Sequence, residues 1–489
     1  MAGPVREGRA VTGGASAGRI DPALLRSAFI LVLGTFMATM DATIVTVGID
    51  TFADDFGASV TEIQWVSTAY LLAVVAVVPT SGWLADRFGG RRTWLVAVAV
   101  FLLGSVLCAL AWSVPALVVA RVIQGLGGGL LPPTGQALLA RAAGPSRTGR
   151  IISIVAVVPL LSPVLGPLIG GAVLSVADWP WLFYVNLPIG VAAILLARRY
   201  LPVSSPSQPR APFDFRGAAL LSPGLAVLVF GLTEVGRGRA VPLAVAVVAI
   251  VAGLAMLAAF VVHGLRTGRT PLIDPRLFTR PPFGVAALAL AVLGAGVFGT
   301  MFLLPLYLQT GRGLTAWETG LLLAPQGVGA LAGSVFVNRA IDTVAPRTMV
   351  LTGIGLVTLG TVVFTQLGHT PPDALIALSL LARGAGIAMI GAPVMNIVYS
   401  GIDPAFLPRA SGALNLLNTV GGSVGTATLA VVLQARLDTR GTDISTAFAG
   451  TFWWVLGFCL VAAAGAIRLP RRHRAKAEAT VRSEHRKGS

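Results

Sequence analysis

The sequence predicts an all-α polytopic membrane protein with fourteen transmembrane helices, and three observations lead there. Of its 489 residues, 55% are hydrophobic and only 11% charged, less than half the roughly 25% charged content of a soluble domain; mean hydropathy is +0.82. The apolar residues gather into fourteen runs of about 20, the length at which a helix crosses a bilayer, and none alternates with the period of a membrane β-strand. The net charge of +16 lies in short patches between these runs, which indicates membrane topology rather than a nucleic-acid partner.

Taken in order, residues 1–26 are rich in Gly, Ala and Arg, lack periodicity, and read as a disordered tail. The apolar run behind them is too long for a signal-peptide core, so it is expected to remain as the first span, 27–49. Asp50, Asp54, Asp55 and Glu62 fill the loop that follows. Spans two to six are placed at 63–84, 93–112, 115–138, 150–174 and 182–200. The Pro/Ser-rich stretch Leu201–Pro212 opens a linker at 201–215. Spans seven and eight, 216–235 and 241–263, make a hairpin within 216–265, and a second linker runs over 266–282. The last six spans fall at 283–306, 316–337, 348–367, 374–397, 410–433 and 448–468, before a basic tail at 469–489.

Alternating sides along this order puts 29 of the 36 Lys and Arg residues on the side of the amino-terminal tail and 5 on the other, with Arg121 and Arg383 inside spans. The Arg-rich side is expected to be cytoplasmic, so both termini face the cytoplasm and the chain belongs to the cytoplasmic membrane. An internal repeat is also legible. Asp342 and Arg347 after span ten fall where Asp86 and Arg91 fall after span two, and Gly384-x-Gly386 echoes Gly125-x-Gly127. Repeated halves build many secondary transporters. Here the offset implies a six-helix bundle over 27–200, an inserted pair, and a second bundle over 283–468.

Cys108 and Cys459 lie in apolar stretches and the chain has four His, so no metal site or disulfide framework is expected. The Gly runs at Gly127–Gly129 and at Gly421, Gly422 and Gly425 lack the strand–helix context and the Lys-Ser/Thr of a nucleotide loop. No cofactor is therefore expected, and any pumping must use an ion gradient rather than ATP. An enzyme would gather catalytic side chains near one face, and a membrane sensor would carry a soluble domain. The sequence offers neither.

Five stretches carry a family resemblance: Met40-Asp41-Ala-Thr-Ile-Val-Thr-Val, Gly82 to Arg92, Arg121-Val-Ile-Gln124-Gly125-Leu-Gly127-Gly128, Gly166-Pro167-Leu-Ile-Gly170-Gly171, and Trp181 to Gly190. Pro271-Leu-Ile-Asp274-Pro-Arg-Leu-Phe adds a sixth. Together they resemble the fourteen-spanner drug:proton antiporter branch of the major facilitator superfamily, over about Arg26 to Leu469. The resemblance implies two six-helix bundles plus the inserted hairpin, no enzymatic activity, and proton-driven efflux of small organic compounds by a chain acting as a monomer in the lipid bilayer. Uptake by symport is the alternative within transport.

Asp41, two-thirds along its span, is costly to ionise there. It reads either as a carboxylate that loads and releases a proton or as a neutral Asp bonded to a neighbouring helix, and the resemblance favours the first. Arg121 must face the bundle interior and find a partner. The family associates it with proton transfer, while backbone carbonyls offer a packing role. For Gly82, Asp86, Arg87, Gly89, Arg91 and Arg92 the resemblance implies a gate latch. Simple positive-inside anchoring accounts for the arginines but not for Asp86. Pro159, Pro163 and Pro167 recur every four residues in span five, so one face carries kinking residues. With Gly166, Gly170 and Gly171 they form the pattern that in the family marks antiporters, although Ser162 stands where Gly is common; the alternative is close packing alone. Trp65, Tyr70, Gln124, Gln309, Gln326, Arg383, Asn396, Asn415 and Asn418 are candidates to line a substrate cavity, although amides also bridge helices.

Overall fold

In hydrocarbon every backbone N–H must be satisfied within its own segment, which for an apolar chain leaves the helix. The computed structural model describes residues 21–144, 147–155, 158–203, 212–237, 242–267, 271–279, 283–341, 343–369, 371–400, 406–437 and 443–469. Eighteen α-helices carry these residues. The first bundle holds α1 (Pro22–Ile44), α2 (Ile49–Phe56), α3 (Val60–Val77), α4 (Ser81–Phe88), α5 (Gly90–Ala109), α6 (Val114–Ala143), α7 (Thr148–Val155), α8 (Val158–Leu174), α9 (Trp181–Tyr184) and α10 (Asn186–Tyr200). Then come α11 (Phe215–Arg237) and α12 (Leu243–Arg266). The second bundle holds α13 (Phe283–Leu306), α14 (Ala316–Ala340), α15 (Pro346–Val362), α16 (Asp373–Ser400), α17 (Leu407–Leu437) and α18 (Ile444–Ala466).

Thirteen spans among the described residues are long and apolar enough to cross a membrane. The expected span 150–174 is carried by α7 and α8, with residues 156 and 157 between them outside the described residues. Also outside are residues 1–20, most of the first linker (204–211), Asp342, and the basic tail from 470 onward.

Two expectations are corrected. Residues 22–26 are helical rather than part of a tail, because Asp21 caps α1 by accepting from Ala23 N (3.0 Å) and Pro22 suits a first helical turn. Asp50, Asp54 and Asp55 are not in a loop. After Ile44 the chain tightens into a 3-10 turn, Val45–Gly48, and continues as α2, where Asp55 accepts from Trp179 Nε1 (2.8 Å). The acidic residues thus extend the first span beyond its apolar part.

Local chemistry repeats between the bundles. Gly57 (φ 59°) turns the chain into α3, where Ser59 and Glu62 close a capping box. Gly313 (φ 68°) turns it into α14, where Thr315 and Glu318 do the same. The α11–α12 hairpin lies against both bundles through α3 and α17. α12 packs mainly on α11 and leaves Val248 and Val251 more than half exposed, as a lipid-facing helix does.

Candidate functional site

Glycines set the site by letting α6 press between α3 and α5. A Cβ on Gly127 would lie 2.4 Å from Phe101 N of α5, and one on Gly125 would lie 2.6 Å from Tyr70 O of α3. From the other side, a Cβ on Gly104 of α5 would strike the Gln124 backbone. This close crossing brings Arg121 and Gln124 of α6 to Asp41, near the end of α1.

Asp41 and Arg121 form an ion pair in which both side chains are fully buried. Asp41 Oδ1 also accepts from Gln124 Nε2 (2.8 Å) and Asn186 Nδ2 (2.8 Å). Arg121 donates through Nη1 to Gln124 Oε1 (2.6 Å) and through Nε to Val66 O (3.2 Å), and its guanidinium stacks 4.2 Å from the centre of the Tyr70 ring. The Ser105 hydroxyl accepts from Gln124 Nε2 (2.7 Å) and Asn186 Nδ2 (3.2 Å). Arg121 Nη2 and Asn186 Oδ1 are buried without partners among the described residues. Chemically, this is a carboxylate whose three bonds all come from donors and whose counter-charge is Arg121, so a proton arriving on Asp41 removes the charge that Arg121 pairs with. Arg121 makes both kinds of contact weighed from the sequence, an acidic partner and a backbone carbonyl.

Gln124 and Tyr70, expected at a substrate cavity, belong instead to this closed cluster. Gln124 is completely buried with its amide engaged, because a residue three after Arg121 shares its helix face and enters the core with it. Tyr70 donates to Ala38 O (2.9 Å) beneath the guanidinium.

The Gly-rich α8 lies against α1 at the residues two before and two after Asp41. Ser162 Oγ donates to Thr39 Oγ1 (2.7 Å), and Thr43 Oγ1 donates to Ser162 O (3.0 Å). Ser162, expected from the resemblance to stand where Gly is common, is thus bonded to α1 through both its hydroxyl and its carbonyl. A Cβ on Gly166 would overlap Thr43 Oγ1 and one on Gly170 would lie 3.0 Å from Ile44 Cγ1, whereas Gly171 has nothing within 4 Å. The side chains of Pro159, Pro163 and Pro167 lie outside the described residues. Across the interface, Gly327 of α14 faces Leu161.

A second cluster joins the bundles at the Arg-rich face. Asp86 of α4 is buried and accepts from Arg409 Nε of α17 (3.0 Å), with Arg141 Nη2 of α6 at 3.9 Å. Gly82 makes this approach feasible, since a Cβ there would be 2.8 Å from Arg409 Cα. Gly89 (φ 86°) takes the left-handed turn from α4 to α5 that glycine permits. Arg91 Nη2 donates to Arg198 O at the end of α10 (2.6 Å), while Arg87 is half-buried and Arg92 exposed. Further bonds cross the bundles nearby, from Ser411 Oγ to Pro133 O (2.8 Å), Asn415 Nδ2 to Gln136 Oε1 (2.8 Å) and Tyr399 OH to Gln136 Oε1 (3.3 Å).

The other candidates are spread over several interfaces. Trp65 stacks on Phe230 of α11 with ring centres 5.7 Å apart. Gln309 is exposed in the π-helical turn Tyr307–Gly311. The Gln326 carbonyl faces Gly384, and Asn418 faces Gly294. Asn396 is half-buried with Oδ1 unpartnered among the described residues. Arg383 is buried in the second bundle, bonded to Thr361 Oγ1 and Thr300 Oγ1 (2.7 Å).

Sequence reading missed Asn186, Ser105, Gln136, Arg141 and Arg409. The two arginines were absorbed into the positive-inside pattern. Asn186 had a usable signal in its motif, between Trp181 and Pro188.

Residues 31–426 match the model of the Major Facilitator Superfamily. The chain is 39% identical over 423 residues to a "Multidrug resistance protein B homolog" of Mycobacterium tuberculosis, covering 86% of this chain and 78% of that protein. It is 32% identical over 412 residues to the "Multidrug export protein EmrB" of Haemophilus influenzae, covering 83% and 79%. Among solved structures, the human organic anion transporter MFSD10 superposes with a TM-score of 0.63 at 18% identity, covering 91% of this chain and 100% of that one. The proton:xylose symporter XylE, which is from Escherichia coli, superposes at 0.63 and 16%, covering 90% and 94%. These two likenesses are of fold alone.

Proposed function

Because the chain belongs to the major facilitator superfamily, we propose that it is a proton-driven exporter of small organic compounds, working by alternating access with both termini in the cytoplasm. Its relatives named for multidrug resistance and export support efflux as the direction. Driving such export is feasible without nucleotide. One charge crossing about 100 mV yields about 2.3 kcal/mol, enough for roughly a 50-fold gradient of a neutral substrate.

The observation that carries the proposal is the buried Asp41–Arg121 pair beside the α1–α8 contact. A proton on Asp41 cancels the charge that holds Arg121. The adjacent Thr39 and Thr43 bonds pass the adjustment from α1 to α8, which meets the second bundle at Gly327. The closed Asp86–Arg409 contact belongs to a state sealed at the cytoplasmic face; Asp41 is fully buried in it, so proton exchange requires its own cluster to open.

The test is expression in an efflux-deficient bacterial host against a panel of toxic compounds, with and without an uncoupler. Wild type raises resistance to at least one compound and the uncoupler removes the effect. Asp41→Asn is inserted normally but confers no uncoupler-sensitive resistance. Wild-type resistance from a well-inserted Asp41→Asn would overturn the assignment of proton coupling to this residue.

A further inference from the structure

Two amides converge on one oxygen of Asp41, and they are not equivalent. Gln124 Nε2 and Asn186 Nδ2 each donate to Oδ1 at 2.8 Å, and each also donates to the Ser105 hydroxyl. The carbonyl end of Gln124 is committed, since Oε1 accepts from Arg121 Nη1 (2.6 Å) and faces the Cys108 thiol at 3.5 Å. Turning that amide over would set an N–H against a guanidinium, which has donors only. The carbonyl end of Asn186 is unused: Oδ1 is buried and accepts from nothing among the described residues. A buried carbonyl without a donor is costly. Asn186 begins α10, which packs on both α1 and α5, so this amide sits where Asp41 and Ser105 are brought together.

The unused oxygen gains a partner once Asp41 carries a proton. A protonated carboxyl acquires one O–H donor, and of the groups around it Arg121 offers no acceptor while Gln124 Oε1 is held by Arg121 Nη1. A half-turn of the Asn186 amide about its last side-chain bond exchanges Nδ2 and Oδ1, atoms of nearly the same size, without moving the backbone. Oδ1 then accepts from the new O–H of Asp41 and from Ser105, whose hydroxyl donates as well as accepts. One end of the amide is unpartnered in either orientation, so the charge of Asp41 decides which end faces it. Resting on the assignment of proton coupling to Asp41, we propose that Asn186 is the positioning residue for the loaded proton: its amide donates to the ionised carboxylate and, turned over, accepts from the protonated one. The step adds one proton at Asp41 Oδ1, reverses when that proton leaves, and makes or breaks no other covalent bond.

The test is infrared difference spectroscopy of the wild-type protein in lipid between alkaline and acid pH, with asparagine isotopically labelled at the side-chain carbonyl carbon. Asn186 is one of five asparagines in the chain, and its band should be the one that follows Asp41. A protonated carboxyl band, absent from Asp41→Asn, appears on acidification, and one labelled amide carbonyl band moves to lower wavenumber as Oδ1 gains donors. That amide shift is missing from Asp41→Asn, and also from Asn186→Gln, where the label is gone from the site. Asn186→Leu, which neither donates nor accepts, loses uncoupler-sensitive resistance in the efflux-deficient host. An Asp41 carboxyl band with every labelled amide unmoved, a shift that persists in Asn186→Gln, or full resistance from Asn186→Leu would each overturn the proposal and leave proton coupling at Asp41 standing. No Asp41 band at any pH would overturn the assignment of proton coupling itself, and the role of Asn186 with it.

Discussion

Asp41 and Arg121 stand 80 residues apart in the chain and share one buried ion pair. Breaking such a pair from one side costs more than removing both charges, because the survivor is left in a low dielectric without compensation. Arg121→Gln is therefore expected to destabilise the protein by about 3–5 kcal/mol, read as a lowered unfolding midpoint in detergent. Adding Asp41→Asn should recover a good part of that loss while transport stays absent. Additive effects in this double-mutant cycle would mean that the two side chains are not coupled. Both charges were legible in the sequence because each interrupts an apolar run. Their pairing was not, since it depends on α6 approaching α3 and α5 closely enough to aim Arg121 at α1. The same crossing buried Gln124 and Tyr70, whose polar atoms read equally well as cavity groups until the helix faces were known.

At the scale of elements, the spans were readable to within a few residues because hydrocarbon thickness fixes their length. Their ends were less so: α2 carries Asp50, Asp54 and Asp55 into a helix that composition alone assigns to a loop. The internal repeat was visible in the Asp86 loop, yet the parallel spacing of Gly57, Ser59 and Glu62 with Gly313, Thr315 and Glu318 passes unnoticed until both sets are seen as helix caps. α8 shows how one motif divides by contact. Gly166 abuts Thr43 while Gly171 faces open space, although both read as members of one pattern. Gly166→Ala should push α8 off α1 at a cost of about 1–3 kcal/mol and abolish export in the resistance assay. Gly171→Ala should leave resistance and expression unchanged. Equal effects at the two positions would show that α8 acts through something other than its contact with α1.

Across the whole molecule, the two bundles are tied at the Arg-rich face by bonds that sequence separation hides. Arg409 lies 323 residues from Asp86, at the entry to α17, where an arginine is already accounted for by topology. Asp86 is buried, so its bond to Arg409 exchanges with no water while the face stays closed, and opening that face must break it. A charge-assisted hydrogen bond of this kind contributes about 1.5–3 kcal/mol, so Arg409→Gln should shift the equilibrium roughly ten- to hundredfold towards opening at that face. Asp86→Asn should shift it in the same direction but less, because the carboxamide oxygen still accepts from Arg409. Spin labels on Phe88 and Phe406, both exposed and on opposite bundles, report the separation. Wild type should give mainly the short distance, Arg409→Gln a growing long-distance population, and Arg87→Gln, next to Asp86 in α4 with no part in the buried contact, the wild-type distribution. If Arg87→Gln opened the face as far as Arg409→Gln, general positive charge beside Asp86 would be holding the bundles together, and the buried Asp86 contact would not be the latch.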